Sequence, residues 1–164
     1  MDSLLNGVRV GLGLDQHALV QGREFVLGGV KIPFELGPLG HSDADVLLHA
    51  VMDATLGALG EPDIGMLFPA HDPSLSGVCS ITLLERVGQL AAQHRARILS
   101  LDAVVVLEKP AVAPYLESMR RNIAVALNFP LGRVGLKAKH PEGIGAIGRG
   151  EGVMAQAVVL LWCP

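Results

Sequence analysis

Apolar and polar residues alternate from Val8 to Leu14 with the period of a β-strand. Val8, Val10, Leu12 and Leu14 face one way, and Arg9, Gly11, Gly13, Asp15 and His17 face the other. Phe25 to Pro33 reads as a hairpin broken at Gly28-Gly29. From Ser42 the period lengthens. Ser42 suits a helix N-cap and Asp45 the amide-rich first turn; an apolar helix then runs through Met52 and Leu56 to about Leu59, where Gly60 and Pro62 stop it. After a loop over 61–77, a second helix starts near Ser80 and carries Leu83, Leu84, Val87 and Leu90 to about Ala96. Leu101 to Leu107 is an apolar strand with little alternation, the mark of burial on both faces. A third helix spans Pro114 to about Leu127 and buries Leu116, Met119, Ile123 and Leu127. Val134 to Lys139 is a further strand, 143–152 with its five glycines a tight loop, and Met154 to Trp162 a closing apolar strand. Helices and strands mix without strict βαβ alternation. The predicted fold is α+β, a single mixed β-sheet with three main helices packed on one face, in one domain over 1–164.

Composition narrows the picture. Half the residues are hydrophobic but only 4% aromatic, so the core is one of Val, Leu, Ile and Ala. A net charge of -3 and the lack of any basic run argue against nonspecific nucleic-acid binding. They also pose a puzzle: an anionic ligand would need positive charge supplied locally. Cys79 and Cys163 lie far apart with no CxxC pair, so neither a disulfide framework nor a zinc thiolate is expected. Met1 to Gly7 contain an acid and no long apolar stretch. No signal peptide, transit peptide or membrane span is expected, and a cytoplasmic protein is the default.

The candidate chemistry lies on the first strand and first helix. Asp15 and His17, two apart on a strand, project from one face, and Gly11 and Gly13 leave room beside them. On the helix, Asp45, His49, Met52 and Asp53 share a stripe. His49 alone reads first as a core histidine satisfied by Asp45 or Asp53, and only second as a metal ligand with those carboxylates behind it. Asp15, His17 and His49 together make a three-donor set suited to zinc with the fourth position open to a ligand or substrate. Gly11-x-Gly13 lacks the third glycine of a dinucleotide fingerprint and opens no helix.

Several runs resemble one family across nearly the whole chain: 11–17 (Gly-Leu-Gly-Leu-Asp-Gln-His), 27–33 (Leu-Gly-Gly-Val-Lys-Ile-Pro), and 40–45 (Gly-His-Ser-Asp-Ala-Asp) with His49. Asp63-Ile64-Gly65 with Phe68-Pro69, and 148–152 (Gly-Arg-Gly-Glu-Gly), follow in the same order and spacing. The family resembled is 2-C-methyl-D-erythritol 2,4-cyclodiphosphate synthase. The resemblance implies a homotrimer with active sites between subunits. It also implies conversion of 4-diphosphocytidyl-2-C-methyl-D-erythritol 2-phosphate to the cyclic 2,4-diphosphate with release of CMP, in non-mevalonate isoprenoid biosynthesis. By the same resemblance Asp15, His17 and His49 would hold Zn2+ or another divalent transition metal, and Glu142 would help hold Mg2+ or Mn2+. His41 and Ser42 would take substrate phosphate, and Asp63 and Gly65 the methylerythritol hydroxyls. Phe68, Asp72, Lys139 and His140 would complete the substrate contacts, and Lys109, Pro110, Ala111 and Val112 would form the nucleotide pocket. Asp45 and Asp53, read from their helix positions alone, either stand behind the metal ligands or are solvated helix carboxylates. Arg149 is either a turn residue held by Glu151 or a residue of the trimer axis, where an isoprenoid diphosphate could bind. Imported metal charge would resolve the puzzle of an acidic protein binding an anion.

Departures from the family pattern support a second reading. Ala111 stands where the family commonly has lysine, and Ala70 and His71 alter the Phe-Pro-Asp-Thr-Asp loop. Ser76 stands at another lysine position, and Lys139-His140-Pro141 replaces hydroxyl-bearing residues. The alternative is therefore a catalytically weakened trimeric paralogue that binds an isoprenoid diphosphate or nucleotide. A phosphohydrolase yielding linear products is a third option.

Overall fold

Strand β1 (Val8–Gln21) and strand β7 (Gly152–Trp162) pair antiparallel from Val8 opposite Trp162 to Ala18 opposite Gly152, and the rest of the fold is laid on them. The computed structural model describes residues 6–69, 71–72, 75 and 77–164. Strand β5 (Arg97–Val106) flanks β7 antiparallel, and β6 (Val134–Lys139) pairs with β5 in parallel. A parallel neighbour needs a crossover, and helix α4 (Leu116–Ala126) supplies it. Short β4 (Leu36–Pro38) closes the other edge, giving the order β4-β1-β7-β5-β6.

One face of this mixed sheet is the core. Ala155, Ala157, Val159 and Leu161 of β7 and Leu101, Ala103 and Val105 of β5 are buried there. Helix α1 (Val46–Leu59) lies against β1 and β7, and α3 (Ser80–Gln93) packs on α1. Nearly every residue of α1 is buried, as expected of a helix apolar all round. Short turns α2 (Ile64–Leu67) and α5 (Gly145–Gly148) punctuate the loops after α1 and before β7. No helix among the described residues is long and apolar enough to cross a membrane.

Four expectations change. The hairpin over 25–33, β2 (Phe25–Leu27) and β3 (Val30–Ile32), forms its own two-stranded sheet rather than joining the main one. Strand β1 runs on past Leu14, because β7 and then β4 go on supplying backbone partners as far as Gln21. Strand β5 alternates, with Asp102 exposed between buried Leu101 and Ala103; only one side of the sheet is covered. The helix begins three residues late. Its N-cap is Asp45, which accepts the Leu48 amide at 3.1 Å; the Ser42 hydroxyl instead accepts the Ala44 amide at 3.2 Å.

That cap also ties down the hairpin. The Asp45 carboxylate, fully buried, accepts the Gly28 and Gly29 amides at 2.9 and 2.7 Å. Both glycines are left-handed (φ 58° and 69°), the backbone that a tight two-residue hairpin turn needs. Burial pushes the Asp45 carboxyl up, while the three amide donors pull it back.

Candidate metal centre

Asp15 and His17 enter the site from the middle of β1, and His49 from the second turn of α1. The close approach of strand and helix that brings them together is made by two glycines. A Cβ on Gly13 would lie 2.0 Å from the Ala50 carbonyl oxygen, and one on Gly11 1.9 Å from that of Ala54. Only a bare backbone lets α1 sit so low on the sheet.

Asp15 Oδ2 lies 3.1 Å from His17 Nε2 and 2.8 Å from His49 Nδ1, and one donor atom from each side chain falls within 4.8 Å of the other two. Burial pushes the Asp15 carboxyl up, but hydrogen bonds from the two imidazoles outweigh it and hold the group well below the ordinary carboxylate range. The reciprocal hydrogen bond to Asp15 raises His17, against partial burial. Two imidazoles and a carboxylate, with no fourth protein donor among the described residues, fit a divalent transition metal with an open position. The cluster opens onto a cavity of about 350 Å³ whose wall includes His41, Ser42, Gly65 and Phe68.

The partners behind His49 are not the predicted ones. Asp45 turns away to the hairpin, because it precedes the helix instead of riding its stripe. The Asp53 carboxylate accepts the Ile64 amide at 2.9 Å and so anchors α2; burial, then the neighbouring Asp63 and Asp15 charges, raise its pKa. His49 Nε2 instead meets Ser80 Oγ at 3.0 Å, and Ser80 is in turn bound by Asp43. Asp43 sits in the 40–45 motif and was within reach of sequence reasoning. No spacing rule links Ser80 to His49, 31 residues earlier.

The other predicted residues fall elsewhere. Asp63 caps α2 by accepting the Met66 amide at 2.9 Å. Asp72 lies on the following loop with its amide on the Pro69 carbonyl, and does not line the cavity beside the metal donors. Ala70 and Ser76 lie outside the described residues. Lys109, Pro110, Ala111, Val112, Lys139 and His140 line a second cavity of about 610 Å³, which shares no wall residue with the first. Glu142 is exposed, in left-handed backbone (φ 55°), and its carboxylate faces His140 at 3.8 Å rather than Asp15. Arg149 is exposed and paired with Glu151 at 2.6 Å, the turn arrangement that was one of its two readings.

The YgbB family model matches residues 8–162. The chain belongs to the YgbB family. Its relatives within that family include the 2-C-methyl-D-erythritol 2,4-cyclodiphosphate synthase of Clostridium perfringens, 50% identical over 94% of this chain and 99% of that protein. The enzyme of the same name from Pelobacter propionicus is 51% identical over 94% and 98%. Among solved YgbB-like structures, the Plasmodium falciparum IspF CDP complex superimposes with a TM-score of 0.84 at 32% identity, covering 96% of this chain and 97% of that one. A 2C-methyl-D-erythritol-2,4-cyclodiphosphate synthase in a CDP-bound form gives 0.86 at 38% identity, over 93% and 99%.

Proposed function

We propose that the chain is a 2-C-methyl-D-erythritol 2,4-cyclodiphosphate synthase of non-mevalonate isoprenoid biosynthesis. It converts 4-diphosphocytidyl-2-C-methyl-D-erythritol 2-phosphate to the cyclic 2,4-diphosphate and CMP. The observation that carries this is the Asp15–His17–His49 cluster opening onto a cavity, in a chain half identical to enzymes of that name. An oxygen of the 2-phosphate attacks the β-phosphorus, the bond from that phosphorus to the CMP oxygen breaks, and the electron pair leaves on CMP. The nucleophile is already ionised at neutral pH, so no strong general base is required. What remains is bending the substrate and crowding its charges together, a positioning problem for which intramolecular reactions gain about 7–11 kcal/mol.

Asp15, His17 and His49 would hold a zinc-like ion, and Glu142 would help hold magnesium or manganese. When bound, these ions supply the Lewis-acid charge that an acidic protein lacks. His41 and Ser42 would take the phosphate at the cavity whose wall includes Gly65 and Phe68, and Asp63, the cap of α2 just before that wall's Ile64 and Gly65, would take the hydroxyls. Lys109 to Val112 cradle cytosine, in keeping with the CDP bound by the Plasmodium falciparum relative. Lys139 adds a cation there in place of the lysine missing at Ala111.

One chain carries these two half-sites in separate cavities, so a single substrate spans two copies: the metal pocket of one protomer and the nucleotide pocket of its neighbour. The uncovered face of the sheet supports such an assembly, which we propose is a homotrimer. Val10, Leu12 and Leu14 are 66%, 61% and 53% exposed, and Val158 and Leu160 continue the patch across the strand pair. An apolar strip of this kind is what a subunit interface covers. Arg149 would then face the axis, where an isoprenoid diphosphate could meet it.

The test is turnover with the cytidine-diphospho substrate, zinc and magnesium. One CMP per cyclic product is expected. Linear phosphate products, or no CMP from correctly folded protein, would overturn the assignment in favour of the hydrolase or the paralogue.

A further inference from the structure

His49 commits both ring nitrogens. Nδ1 faces Asp15 Oδ2 at 2.8 Å, and Nε2 faces Ser80 Oγ at 3.0 Å. Ser80 is fully buried at the first residue of α3, and its hydroxyl has one hydrogen to give. That hydrogen goes to Asp43. Ser80 Oγ bonds Asp43 Oδ1, while the Ser80 amide donates to Asp43 Oδ2 at 2.9 Å. A carboxylate only accepts, so the hydroxyl must donate to Asp43 and accept from His49. His49 therefore carries a proton on Nε2, and Nδ1 is the nitrogen turned to Asp15: it donates there while the cluster holds no ion, and its lone pair is the one an ion would take in place of that proton.

We infer that Ser80 and Asp43 are positioning residues for the metal site, a hydroxyl–carboxylate relay that fixes the tautomer and ring orientation of His49. The inference rests on the metal reading given above. Neither side chain lines the cavity, so neither is placed to touch substrate. They act through His49 alone. The other tautomer would present an N–H to the metal and a lone pair to a hydroxyl whose only hydrogen is already given away, and a half-turn of the ring would put carbon atoms at both places. The relay also joins three segments: the loop before α1, the helix itself and the start of α3. A purely structural tie would do that too, so the decisive readout is metal affinity in folded protein.

The metal-free chain is titrated with zinc against a chromogenic chelator, with circular dichroism to verify folding. Ser80→Ala is expected to raise the zinc Kd about 10–100-fold, the usual effect of removing a partner behind a ligating histidine. Asp43→Asn keeps the side chain's size and Ser80 itself but turns one of the two oxygens that accept from Ser80 into a donor; a smaller rise, still above about twofold, is expected. Nitrogen-15 histidine spectra of the zinc-loaded wild type should show the His49 proton on Nε2. Folded Ser80→Ala that holds zinc within about twofold of wild type overturns the inference. Should Ser80→Ala fail to fold, the same threshold in Asp43→Asn decides. A wild type that releases CMP but binds no zinc overturns the metal reading and this inference with it. Wild-type affinity in both variants, beside a zinc-dependent wild type, overturns this inference alone.

Discussion

Asp15→Ala is expected to lower kcat for CMP release by about a thousandfold or more while leaving the chain folded. Asp15 is the hinge of the cluster, its Oδ2 touching both His17 Nε2 and His49 Nδ1. Without it, two imidazoles remain, and two donors without an anionic one hold a divalent ion poorly. Folding should survive. Asp15 lines the cavity rather than the core, so its removal costs the hydrogen bonds to His17 and His49 but no core packing. His49→Ala should be as inactive but less stable, because it empties a buried position and takes the imidazole donor from the Ser80 hydroxyl, which keeps only Asp43. Stopped assays at saturating zinc, with circular dichroism alongside, check both variants. Turnover retained by either, in metal-stripped protein, would remove the cluster from the mechanism.

Gly13→Ala is expected to destabilise the fold by about 3 kcal/mol or more, at the top of the range for overpacked cores. The added Cβ would sit 2.0 Å from the Ala50 carbonyl oxygen and 2.6 Å from the Ala54 amide nitrogen. Both are main-chain atoms of the helix, so no rotamer change relieves the clash. Strand and helix must separate by roughly an ångström, since carbon atoms pack at about 3.5–4.0 Å. The loss corresponds to a fall in Tm on the order of 10 °C in a chain of this size. Gly13 is two residues from Asp15, and Ala50 is next to His49, so the same displacement should weaken zinc binding. Thermal unfolding with and without zinc measures both effects. A Tm within about 2 °C of wild type would mean that the strand–helix approach is not fixed by the glycines.

These glycines also show what the sequence made legible. Alternation along β1 gave the strand and put Asp15 and His17 on one face, but it left open which face is inside. Apolarity would favour Val10, Leu12 and Leu14; the helix instead sits on Gly11 and Gly13, and the apolar side is left exposed, the side that the proposed assembly would cover. A single chain's pattern does not distinguish a core from an interface. The three metal donors were found because strand and helix periods are local rules. Ser80 was missed because its link to His49 exists only after α3 packs on α1. Asp45 misled through one assumption, the position of the cap. Starting the helix at Val46 instead of near Ser42 moved that carboxylate from the histidine's stripe to the hairpin amides. The double-sided burial expected of 101–107 failed for the same reason as β1: half the sheet's apolar surface faces outward in one chain.

The most direct test is anomalous diffraction at the zinc absorption edge from crystals grown with zinc and a cytidine nucleotide. One strong peak is expected at about 2.0–2.3 Å from Asp15 Oδ2, His17 Nε2 and His49 Nδ1 together, with a phosphate oxygen at the fourth place. No peak there, or a zinc ion held by other side chains while those three keep only one another, would contradict the account.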